Sequence, residues 1–156
     1  MNYDLFITAV EKLRKMVTEN EILTSEEKES IILEITKVSE LVKSDGNDEI
    51  NDSGISNSMR DVVSLIGSTD ELWGSKIHNL ATALYCVPRL CIYGEVTYGE
   101  VNDIEALDSD WVDLISHIYG ETLYYDVYSC IVDVNRLSNS CGDGYETEEL
   151  FNQLGL

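Results

Sequence analysis

Four cysteines and two histidines are the residues of this 156-residue chain best suited to metal or nucleophilic chemistry. Zinc needs such ligands clustered at short spacing. Cys86 and Cys91 are separated by four residues, His78 lies two helical turns before Cys86, and no histidine follows nearby. Cys130 and Cys141 are farther still, so the spacing predicts no zinc site. A Cys or Ser nucleophile needs a base beside it. His78 and His117 each fall among apolar residues at helical spacing, which reads as an ordinary helix position. No G-x-S-x-G, P-loop or G-x-G-x-x-G pattern occurs. Asp45, Asn47, Glu49 and Asn51 alternate as the ligands of a calcium loop would. The positions where such a loop needs Gly and Glu hold Ile50 and Ser56 instead. The residues therefore point to no catalytic group, no metal and no cofactor, and to a protein that is not an enzyme.

The remaining pattern is acids interleaved with aromatics. Between Tyr93 and Tyr128 lie Glu95, Tyr98, Glu100, Asp103, Glu105, Asp108, Asp110, Asp113, Glu121, Tyr124 and Asp126, with no Lys or Arg from Leu90 to Asn135. Tyrosines bury large area at low entropy cost and serve as interface anchors. Carboxylates around them would pair with Arg and Lys on a partner and steer its approach. These eleven residues are the candidate partner-binding set. The competing reading makes the aromatics core and the acids a solvated face; Trp111, spaced with Ile115 and Ile118, is expected in the core.

Charge supports a basic partner. The chain carries 10 Lys+Arg against 30 Asp+Glu, a net charge of −20. The excess is uneven: residues 1–43 hold nine acids and six bases, residues 44–156 twenty-one acids and four bases. Uniform acidity would suit salt adaptation, whereas this asymmetry suits complementarity to a basic surface. Four bases in the acidic part are too few for phosphate contacts, which disfavours direct nucleic-acid binding. No apolar run approaches the ~20 residues that span a bilayer, and the start Met-Asn-Tyr-Asp lacks a signal-peptide pattern. The expected location is cytoplasmic, off the membrane, with reduced cysteines.

The elements that would position these residues are helical. Asn2 caps a helix over about 3–18 with Phe6, Ala9, Val10, Leu13, Met16 and Val17 on one stripe. Thr24 and Glu27 form a capping-box pattern opening a second helix through Ile31, Ile35, Val38 and Val42. Together they predict an N-terminal helical hairpin, 1–43. Residues 44–57, rich in Gly, Asn, Ser and Asp, read as a flexible acidic linker. The acidic helical body, 58–156, would form a compact bundle, separate from the hairpin or in one domain with it. Its expected helices cover 58–66, ended by Gly67 as a C′ glycine; 69–85, opened by a Ser68/Glu71 capping box, burying Trp73 and stopped before Pro88; 109–119, ended by Gly120; 122–137; and 146–154. The expected fold is all-α, with the stretch near 90–101 either a small β-hairpin or an irregular loop.

In size, acidity, helicity and lack of catalytic residues, the chain is similar at class level to the immunity proteins of bacterial toxin–immunity systems, including the contact-dependent inhibition type. That resemblance implies an acidic inhibitor that occludes the basic active site of a nuclease-type toxin. Such families share a role and no common fold, so it transfers no residues. The alternative is a nucleic-acid mimic of phage or plasmid origin that blocks a restriction or CRISPR effector. An adaptor using the balanced hairpin as an arm is a third reading.

Overall fold

The computed structural model describes residues 1–43, 51–93 and 109–120, with 152, 153 and 155 near the C-terminus; in 109–113 and at Tyr93 only the backbone is described. Among these residues the fold is all-α, with no strand. Five helices follow in order: α1 Tyr3–Glu19, α2 Ser25–Lys43, α3 Asp52–Gly67, α4 Lys76–Tyr93 and α5 Ser109–Tyr119, with a 3-10 turn at Asp70–Leu72.

The hairpin forms as its capping chemistry dictates. Asn2 Oδ1 accepts from the Leu5 N–H at 3.1 Å. Thr24 and Glu27 close a reciprocal capping box, the Thr24 N–H donating to Glu27 Oε2 at 2.9 Å and the Glu27 N–H to Thr24 Oγ1 at 3.2 Å. Between the helices, Asn20 Oδ1 accepts from both the Ile22 and Leu23 N–H groups, which fixes the turn. Arg14 then clamps α1 to α2. Its guanidinium donates to Thr36 Oγ1 at 3.1 Å and Ser39 Oγ at 3.4 Å while pairing with Glu11 at 3.1 Å.

Helix α3 starts earlier than its composition predicts. Residues 51–57, expected as linker, are an N-cap and the first turns of this helix. Asn51 Oδ1 accepts from the Gly54 N–H at 2.9 Å, and Ile55 and Ser56 are buried. Ser, Asn and Asp are neutral-to-poor helix formers, but at a helix start their side chains satisfy the free N–H groups. Ile55 buries against the core and favours the helix over the coil that local composition suggests. Residues 44–50 lie outside the described set.

Helix α4 is the other departure. It runs through Pro88 to Tyr93, so Leu90–Tyr93 are helical where a hairpin or loop was expected; 94–101 lie outside the described residues. An interior proline removes one helical hydrogen bond and costs about 3 kcal/mol. Burial offsets this. From Ile77 to Pro88 every residue is buried, the polar His78, Asn79 and Thr82 among them. It is the central helix, packing on α1, α3 and α5, while α2 packs on α1 and α3. One core joins hairpin and body, from Phe6, Leu13 and Ile35 through Met59, Ile66 and Leu84 to Ile115 and Ile118.

Two contacts orient the bundle. The Tyr3 hydroxyl lies 3.3 Å from Asp52 Oδ1, which puts the starts of α1 and α3 at one end. The Asn2 N–H donates to the Ile118 carbonyl at 2.7 Å, which brings the end of α5 to the same place. The α1–α2 turn, the α3–α4 connection and the start of α4 therefore share the opposite end.

Candidate functional site

Of the eleven residues that sequence singles out, Asp110 and Asp113 sit in the first turns of α5. Glu95, Tyr98, Glu100, Asp103, Glu105, Asp108, Glu121, Tyr124 and Asp126 lie outside the described residues, as do the helices expected over 122–137 and most of 146–154.

The structure brings a different group together at the α3–α4 connection. The expected helix over 69–85 is interrupted. Ser68 makes no capping box: its hydroxyl donates to the Leu65 carbonyl at 2.8 Å, and Thr69 caps the 3-10 turn without a side-chain bond. Gly74 takes φ 72°, a left-handed conformation open to glycine, and breaks the chain direction. Ser75 then opens α4. Its carbonyl accepts from the Asn79 N–H at 2.8 Å, and its hydroxyl donates to the Leu72 carbonyl at 2.6 Å.

This break turns Trp73 outward. Expected on the buried face of its helix, it is 54% exposed. Leu72, its neighbour, is buried and anchors the turn. One face of the indole rests on His78, with ring centroids 4.6 Å apart and planes inclined at 36°. Gly67 makes room for both. A Cβ there would stand 3.2 Å from His78 Nε2 and 3.4 Å from two Trp73 ring carbons. Gly67 closes α3 as its last residue and is not the left-handed C′ glycine expected; Gly120, at φ 86°, is.

His78 is 1% exposed, and burial pushes its imidazole below the usual histidine range. Its Nδ1 accepts from the Gly74 N–H at 3.2 Å, so the neutral ring carries its proton on Nε2. Nε2 has no hydrogen-bond partner. Beside it, Asn79 donates from Nδ2 to the Gly74 carbonyl at 3.2 Å, leaving its buried Oδ1 unpartnered as well. Most buried polar groups are satisfied, so two such atoms within one turn set this connection apart from the rest of the core. The sequence signal was the Trp-Gly-Ser run at 73–75, a turn pattern inside an otherwise helical rhythm.

At the other end, burial and the neighbouring Asp52 carboxylate push the Tyr3 phenol up to about 12, and burial raises Asp52 above the usual carboxylate range. This is a tie between helices, and the Cys91 thiol near the end of α4 is close enough to add to the upward push on Tyr3. No group of three or more His, Cys, Asp or Glu that could hold a metal occurs among the described residues, and no helix there is long and apolar enough to cross a membrane.

No family model matches the chain, and neither the curated proteins nor the solved structures contain a match to it.

Proposed function

We propose that this protein is a non-enzymatic inhibitor that binds a basic protein partner, in its specific form an immunity protein occluding the basic cleft of a nuclease-type toxin. The observation that carries this reading is that no exposed carboxylate described beyond residue 43 enters an ion pair with a described residue. All three ion pairs among the described residues, Glu11–Arg14, Lys15–Glu19 and Glu34–Lys37, lie in the first two helices. Beyond residue 43, Asp61, Asp70 and Glu71 are exposed and enter none of them. Keeping carboxylates unpaired costs self-repulsion, which a basic partner relieves.

The test is co-expression with the product of the adjacent gene, read as rescue of growth and as a defined complex by light scattering. Association should slow steeply with salt, because steering by charge is screened. Replacing Asp108, Asp110 and Asp113 together by Lys should slow it further with the helical fold intact. Toxicity unaffected by the chain, with no complex formed, would overturn the toxin form of the reading.

A further inference from the structure

We propose that the bundle end carrying the α1–α2 turn and the α3–α4 connection is the docking surface, with Trp73 as the anchor for a basic protein segment that carries an apolar side chain. The proposal rests on the reading above and gives it a location. Two of the three exposed large hydrophobics among the described residues, Trp73 at 54% and Ile22 at 45%, belong to the two connections that share this end. Exposed carboxylates outside any ion pair accompany them: Glu21 and Glu26 around the first connection, Asp70 and Glu71 in the second; the Lys28 ammonium at the first connection donates to the Thr18 carbonyl. An aromatic anchor rimmed by charge is the composition of an interface hot spot.

Trp73 is also held in place. His78 supports one face of the indole, and the missing Cβ of Gly67 lets both rings approach the end of α3. A ring already held loses little further freedom when a partner covers it. The unpartnered Nε2 of His78 faces the Cα of Gly67 at the end of α3, so the imidazole that backs the indole is wedged between it and the core. The charge of the rim selects the occupant. A second copy would set the same carboxylates against each other, and an anionic membrane would be repelled likewise.

The experiment uses the full chain with Trp111→Phe, which leaves Trp73 as the sole tryptophan. Two probes of equal charge are compared: an amphipathic leucine–lysine peptide and an oligolysine. The amphipathic peptide should bind at least about 10-fold more tightly and shift Trp73 emission to the blue. Trp73→Ala, with its fold checked by circular dichroism, should erase that preference and leave oligolysine binding unchanged. Glu71→Lys should weaken both probes more than Glu40→Lys, the same charge change near the far end of α2. An equal preference in Trp73→Ala, or an unmoved emission, overturns the anchor while the basic-partner reading stands. Failure of both probes to bind overturns that reading too. Self-association lost in Trp73→Ala would assign the surface to a second copy and overturn the proposal.

Discussion

The indole of Trp73 lies on the imidazole of His78 at 4.6 Å between centroids, pairing a half-exposed ring with one that is 1% exposed. The two are five residues apart, across the glycine that breaks the helical path. The surface ring is thereby coupled to a titratable group in the core.

That coupling has a pH consequence. His78 titrates lower in the folded protein than in the unfolded chain, because burial penalises its charged form. The unfolded state takes up the proton first, so the stability contribution is complete above about pH 6.5 and declines as pH falls from there toward the folded value. Urea midpoints between pH 7.5 and 5.5 should fall more in the wild type than in His78→Asn, whose amide oxygen can still accept from Gly74. Parallel pH profiles for the two proteins would show that His78 does not carry the effect.

Gly67 tests the packing around this pair. Its backbone is helical, so alanine on propensity alone would stabilise α3 by about 1 kcal/mol. The added Cβ, at 3.2 Å from a buried and hydrogen-bonded imidazole, has to displace it. We expect Gly67→Ala to destabilise by about 1 kcal/mol net and to change Trp73 emission. A gain in stability would mean that the imidazole yields freely.

Ile55 distinguishes helix from linker. It is fully buried near the start of α3, and truncating such a side chain typically costs 2–5 kcal/mol. Ile55→Ala should fall within that range, and Asn51→Ala should lose about 1 kcal/mol with the cap. In a linker both would be silent in chemical denaturation.

Salt reports the unpaired charge. Raising NaCl from about 20 mM to about 300 mM should raise the melting temperature, since screening relieves repulsion among carboxylates that lack partners. A falling melting temperature would show that the acids are engaged in attractive pairs.

Local chemistry alone determined the all-α class, the capped ends of α1 and α2, the apolar stripes of the hairpin and the span of α5. Each follows from spacing and capping within a few residues, where the partners are close in sequence. The charge asymmetry was equally legible, since it needs only counting. Three outcomes depended on tertiary structure. Residues 52–57 are helical because Ile55 finds a core to enter. Helix α4 passes through Pro88 because burial of its surroundings outweighs one lost hydrogen bond. Trp73 faces outward because Gly74 turns the chain after Leu72 is buried, a choice between two neighbouring apolar residues that helical periodicity cannot make. In the first two cases the deciding contact lies on another element, beyond the reach of local pattern; in the third the Gly74 turn is local, but which neighbour it buries is decided by the core that receives Leu72.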